Sequence, residues 1–308
     1  KPLQESVRQL SRTFTEDREL VDAQSYLEQR DLHDAYLAYF LPLNFQKVAV
    51  LLEANPAAFE EKELRWLDFG CGPGTASLAA LFVFKKLFSK NAQTKAIEIT
   101  LVDSQTKVLD TAKKLVYRFA EILDLQVKVR TQRGLRDVSE PYSLAFAANV
   151  LNELITPNQE REMLLRVWDQ TQGAFLIVEP SHRVSSQRLI RFRERLLKDS
   201  NGVKEEPKTI PAPKGQTRDQ PPEASQEEED NMLSTPARPY RLNTVVLAPC
   251  SHEARCPLFR TRDWCHFSEP VEDSRLLEWN QILFKNPRAW LKFSYVIFKR
   301  DPKFKHPA

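Results

Sequence analysis

The sequence predicts an α/β fold. Its centre is a mostly parallel, seven-stranded sheet with helices on both faces. A helical region precedes the sheet, and a cysteine-containing loop precedes the last strand. Three observations predict this. Apolar strand-like runs alternate with helical periodicity from residue 64 to 182. Three of the seven glycines, Gly70, Gly72 and Gly74, fall within five residues, between one such run and a helical pattern. Three of the four cysteines, Cys250, Cys256 and Cys265, lie in one short stretch near the other end.

The elements follow in order. Residues 1–62 carry apolar residues at three- and four-residue spacing, interrupted at Pro42, and read as helical. Strands are predicted over 65–69, 97–102, 125–131, 143–147 and 174–178, with helices over 76–87, 107–123 and 158–170 between them. A helix over 187–198 leads into 199–239, a proline-rich, acidic stretch with few apolar residues. It cannot bury enough apolar surface to offset ordering entropy, so it reads as a disordered insertion. A strand over 241–247, the cysteine loop, a helix over 274–284 and a strand over 291–299 form an antiparallel edge. Four segments result: 1–62 helical, 63–198 sheet core, 199–239 insertion, 240–308 sheet edge with the cysteine loop.

Composition sets bounds. At 308 residues and 42% hydrophobic, the chain can bury a substantial core, and its net charge of +3 does not single out a partner. No apolar run reads as long enough to span a membrane. The start, KPLQESVRQL, has neither an initiator Met nor the apolar core of a secretory signal, so it carries no targeting information. Cysteine placement suits a reducing compartment and a ligand site more than a disulfide scaffold.

The glycine cluster reads Asp68-x-Gly70-x-Gly72-x-Gly74, a sharp turn between a strand end and a helix. A dinucleotide loop would need glycine or alanine at position 75, where Thr75 stands. The D-x-G-x-G-x-G pattern instead resembles the first motif of class I S-adenosylmethionine-dependent methyltransferases, which have a Rossmann-like sheet. The resemblance implies that Asp68 lies near the methionine amino group and that Gly70, Cys71, Gly72 and Gly74 pack against the cofactor. It also implies that an acid ending the second strand, here Asp103, meets the ribose hydroxyls. Asn149 and Glu179 also fall at or past strand ends, where such sheets bind ligands, and Asn149 joins the expected cofactor set.

The cysteine loop has the spacing C-x5-C-x8-C-H. Thiolates at short loop spacings suit zinc or an iron–sulfur cluster, with His252, His266 or an external group as further ligand. LDFGCGPGTAS, NVLNEL, LIVEPS, the LAPC…CP…WCHFS loop and KFSYVIFKR together resemble the Rsm twenty-two family, bacterial and mitochondrial methyltransferase-like proteins of the small ribosomal subunit. The resemblance implies S-adenosylmethionine, a 4Fe-4S cluster on Cys250, Cys256 and Cys265 (zinc being the alternative), and contact with small-subunit rRNA. It also implies a fourth cysteine beyond the last strand; this chain has none after Cys265.

Basic residues gather over 183–198, 285–305 and at Lys128, Arg130, Arg133 and Arg136. They read equally as phosphate contacts or as solvated faces. Trp290, Phe293 and Tyr295 read as core. After the fourth strand the chain reads ANVLNEL, without the Asn/Asp-Pro-Pro-Tyr/Phe motif of many amino-methylating enzymes, and Asn152 and Glu153 read as helix caps. No catalytic residue is assigned. The preferred expectation is a monomeric, non-membrane factor that binds S-adenosylmethionine and small-subunit rRNA in ribosome assembly or translation. It is placed in a bacterial cytoplasm, or alternatively in the mitochondrial matrix. An active rRNA methyltransferase and, more distantly, a small-molecule methyltransferase are the alternatives.

Overall fold

The computed structural model describes residues 2–15, 29–59, 63–88, 96–138, 140–151, 157–201, 243–284 and 289–301. Most of the expected insertion, together with Asn152 and Glu153, lies outside the described residues.

Helix α1 (Leu3–Thr15) is followed by a continuous helical run: α2 (Arg30–Ala35), a π turn (Tyr36–Phe40) and α3 (Leu41–Ala54). The sequence reading broke this run at Pro42. The structure carries it through, because the Leu41 amide reaches back five residues to Tyr36 just ahead of the proline, which has no N–H to donate. That changes one expectation. The joined run Arg30–Ala54 is long and apolar enough to cross a membrane by length and composition alone. Its residues Leu32, Ala35, Tyr39, Val48, Ala49, Leu51 and Leu52 are buried in the core.

The sheet contains β1 (Arg65–Phe69), β2 (Ile97–Val102), β3 (Val127–Gln132), β4 (Tyr142–Ala148), β5 (Thr171–Pro180), β6 (Thr244–Ala248), β7 (Phe267–Pro270) and β8 (Trp290–Arg300). Its helices are α4 (Thr75–Phe88), α5 (Thr106–Ile122), α6 (Pro157–Asp169), α7 (Arg183–Asn201) and α8 (Ser274–Leu283). The strand order is β3-β2-β1-β4-β5-β8-β6, with β7 also paired to β8. Strands β1 to β5 are parallel; β8 runs antiparallel to β5, β6 and β7. Among the described residues the sheet therefore has eight strands where seven were expected. The additional one arises because the cysteine loop divides the edge position: β6 pairs with the second half of β8, and β7 with the first.

Alternation along each strand builds two cores. Trp66, Ile99, Leu101, Leu144, Phe146, Leu176 and Ile297 face α3, α4 and α5. Leu67, Phe69, Ala145, Phe175, Ile177, Val296 and Phe298 face α6 and α7. The chain leaves β1 towards one face and β4 towards the other, so the order turns back between these two strands. Ligands of such sheets bind beyond the strand carboxyl ends at that point.

Candidate functional site

The loop after β1 is tight and tied to its neighbours. Gly70, Gly72 and Gly74 have φ of 65°, 50° and 88°, a region that glycine enters without a Cβ penalty. The Cys71 amide donates to Val102 O of β2 at 2.9 Å, and the Gly74 amide donates to Cys71 O at 2.8 Å. Each glycine answers a different need. A Cβ on Gly70 would lie 2.5 Å from Val150 Cγ2, and one on Gly74 would lie 3.3 Å from Val116 Cγ2 of α5. A Cβ on Gly72 would meet nothing within 4 Å, so this glycine faces open space.

Two acids frame the loop from behind and beside. Asp68 is buried at the end of β1, where its Oδ2 accepts from the Ser77 amide (3.0 Å) and hydroxyl (2.7 Å). A carboxylate there satisfies a donor of the first turn of α4 and opposes the positive end of its dipole. Burial pushes the Asp68 carboxyl up to about 7 despite the Ser77 bonds. Asp103 follows β2. Its Oδ2 accepts from the Gly72 amide and its Oδ1 from the Gln105 amide, both at 3.0 Å. Burial raises its carboxyl as well, against these hydrogen bonds. Cys71 is buried, and burial together with Asp68 and Asp103 raises its thiol far above the ordinary value. Thr75 Oγ1, at the start of α4, is buried with no hydrogen-bond partner among the described residues.

The far wall comes from β4 and β5. Asn149 takes a φ of 60° and donates its amide to Val178 O. The fully buried Glu179 accepts from the Val150 and Leu151 amides at 2.8 and 3.0 Å through one oxygen. Arg188 of α7 donates to Leu151 O at 3.0 Å. The backbone at 150–151 is thus held from both sides, and Val150 is pressed onto Gly70. Sequence reading had placed Glu179 at a strand end but did not foresee Val150, Ser77 or Thr75 in the site. The spacing from a strand-end aspartate to a serine in the third helical position was the available signal for Ser77.

These residues include the expected set Asp68, Gly70, Cys71, Gly72, Gly74, Asp103 and Asn149, brought together at the carboxyl ends of β1, β2 and β4. The loop's fit to a nucleoside-type cofactor rests on two observations: the open space before Gly72 beside Asp103, and the unpartnered Thr75 hydroxyl.

The cysteine loop hangs on α7. Gln187 Nε2 donates to Leu258, Thr261 and Asp263 carbonyls. Ser186 and Ser294 hydroxyls both donate to Cys265 O. Arg193 donates to His252 and Ala254 carbonyls, while Glu194 Oε1 accepts from Arg193 and from the Cys256 amide. Two of the basic residues of α7, Arg188 and Arg193, therefore serve the fold. So do Lys299, on Ala57 O, and Arg300, on Thr171 O and over the Trp168 ring. Phe293 is core as expected and Tyr295 is half-buried, whereas Trp290 is exposed. Cys250 is exposed, and Cys256 and Cys265 are partly covered. Burial raises the Cys265 thiol, and the neighbouring Cys250 and Cys256 raise it further. Among the described residues, no three His, Cys, Asp or Glu side chains converge so as to hold one metal ion.

Sheet order, antiparallel penultimate position and glycine loop define a class I methyltransferase-like α/β protein. Within that class, the chain belongs to the family described as mitochondrial small ribosomal subunit Rsm22, whose model matches residues 30–224 and 237–308. A comparison with curated proteins found no match. Among solved structures, the plantazolicin methyltransferase BpumL in complex with SAH is similar at 14% identity and a TM-score of 0.41, covering 98% of this chain and 100% of that one. Magnesium protoporphyrin IX methyltransferase from Synechocystis PCC 6803 with bound SAH is similar at 13% identity and a TM-score of 0.38, covering 84% and 83%. These likenesses are distant, and the class rests on the sheet order and the loop.

Proposed function

We propose that this protein is an S-adenosylmethionine-binding factor of the mitochondrial small ribosomal subunit, acting in assembly or translation without itself transferring the methyl group. The observation that carries the cofactor is the Gly72–Asp103 pair: a backbone turn facing open space beside a carboxylate at the end of β2. Asp103 would accept from the ribose hydroxyls. Gly70, Cys71, Gly72 and Gly74 would form the wall against the cofactor, and Asp68 would fix that wall through Ser77. Asn149 would turn the chain at the far side. The bound cofactor supplies an activated methyl group on a sulfonium. The segment after β4 carries no Asn/Asp-Pro-Pro-Tyr/Phe motif, which argues against methylation of an exocyclic amine by that route.

The family supports the small subunit and its rRNA as partners, and the mitochondrial matrix over the bacterial cytoplasm expected first. The same reading places a 4Fe-4S cluster on Cys250, Cys256 and Cys265. What supports it is the gathering of three free cysteines in one loop, Cys250 exposed and Cys256 and Cys265 partly covered. A single zinc ion does not fit the described residues. Cluster ligands each hold a different iron and so do not converge on one point. Anaerobically purified protein should be brown; colourless protein with stoichiometric zinc would overturn the cluster.

The functional test uses S-adenosylmethionine labelled in its methyl group, incubated with protein and small subunits. The proposal expects cofactor binding and no label in rRNA. Label that enters rRNA with the parent and is abolished by Asp103→Ala would make it an rRNA methyltransferase instead.

A further inference from the structure

All three basic groups that suggested nucleic acid include residues used by the fold, Arg133 donating to Ser104 O and Lys128 pairing with Glu98 in the third, and the cysteine loop offers a different face. Trp264 is 38% exposed, and its Nε1 is tied to Ser181 O at 3.0 Å, just past the end of β5. Its ring lies 6.1 Å from that of His266. Val184, 58% exposed, is the second residue of α7, three positions after Ser181. Farther along the loop, the Arg255 and Arg260 guanidiniums lie 4.8 and 5.2 Å from the Phe259 ring centroid. Arg183, Arg191, Arg255, Arg260 and Arg262 are exposed. Asp263 is also exposed on this loop, whereas Glu253 accepts from the Val246 amide and Glu194 faces Arg193 and Cys256.

We propose that this loop face is a docking surface for single-stranded RNA, with Trp264 as a stacking platform and Arg262, Arg255 and Arg260 as phosphate contacts. The inference rests on the small-subunit reading above and says where the RNA is held. Base–aromatic stacking beside guanidinium groups is the combination that single strands require. The excess of exposed Arg183, Arg191, Arg255, Arg260 and Arg262 over Asp263 matches a polyphosphate strand and so favours nucleic acid over a protein partner. The surface is also preorganised: Gln187, Ser186 and Arg193 fix the loop backbone from α7 through direct hydrogen bonds. Through Ser181, just past β5, Trp264 stands at the same carboxyl end of the parallel strands as the glycine loop.

The test is fluorescence anisotropy with a fluorescein-labelled, mixed-sequence single-stranded RNA of about 12 nucleotides, chosen within the usual site size, titrated across salt. Trp264→Ala should weaken binding at least about fivefold, while Trp264→Phe, which keeps a ring but loses the Ser181 bond, should retain most of it. Arg262→Ala should lower the slope of log affinity against log salt by about 0.7. Lys113→Ala, at an exposed position on α5, should change nothing. Unchanged affinity in Trp264→Ala and Arg262→Ala overturns the surface and leaves the rRNA reading standing; a protein-docking face would give this result. Equal losses in Trp264→Ala and Trp264→Phe assign the effect to the anchoring bond and overturn the stacking role. A parent that binds no RNA overturns both the surface and the rRNA reading.

Discussion

Val150 occupies the space that a Cβ on Gly70 would need: the two would be 2.5 Å apart. This contact joins the loop after β1 to the loop after β4 across the point where the strand order turns back. It makes Gly70 irreplaceable for two reasons, since its φ of 65° also disfavours any side chain. Gly70→Ala is expected to cost about 2–4 kcal/mol from strain and overpacking. Val150→Ala in the same chain should recover part of that loss. Urea unfolding of the two single variants and the double variant would measure the coupling; strictly additive losses would separate the two loops.

The Val150 wall stands because Glu179 accepts two buried amides. Glu179→Ala leaves both without their acceptor, at about 1–3 kcal/mol each. Amide hydrogen exchange at Val150 and Leu151 should accelerate more than exchange along β1. Uniform acceleration across the sheet would mean that Glu179 supports the whole fold rather than this loop.

Asp68 should make stability depend on pH in an unusual direction for a carboxylate. Its folded value is about 7 and its ordinary value 3.8. Between these values the folded protein keeps a proton that the unfolded chain has released. The group's contribution is therefore fully present below pH 4 and is lost as pH rises towards 7, by at most ~1.4 kcal/mol per pH unit. Asp68→Asn should flatten the stability profile between pH 4.5 and 8. Parallel profiles for parent and variant would place the Asp68 carboxyl in its ordinary range.

The metal-free thiols should differ in reactivity. Cys250 is exposed, the Cys265 thiol is raised by burial and its neighbours, and the buried Cys71 thiol is raised further. Because the thiolate is the reacting form, iodoacetamide at pH 8 should modify Cys250 first, Cys265 later and Cys71 last. Mass spectrometry of quenched samples reads the order directly. Early labelling of Cys71 would mean that the glycine loop opens in solution.

Much of the fold was legible because buried parallel strands leave short apolar runs with sharp ends. The boundaries of β1 and β2 agree with the sequence reading to the residue. The strand β7 was not legible: four residues ending in Pro270, paired only along an edge, leave no alternation to detect. Pro42 misled in the other direction, since a π turn let the helix pass through it. In the site, glycines and strand-end acids announced themselves by type and spacing. Val150 and Arg188 did not, because their roles depend on which loops meet across the sheet. Arg193 looked like part of a basic face and proved to be a clamp on the cysteine loop.

The central claim is that the glycine loop and Asp103 form a working cofactor site. Titration calorimetry with S-adenosylhomocysteine tests it most directly, on the parent and on Asp103→Ala. The account predicts saturable binding at one site per chain, weakened by at least about tenfold in the variant, as for the loss of a charge-assisted contact worth roughly 1.5–3 kcal/mol. No binding to the parent, or equal affinity in both proteins, would contradict it.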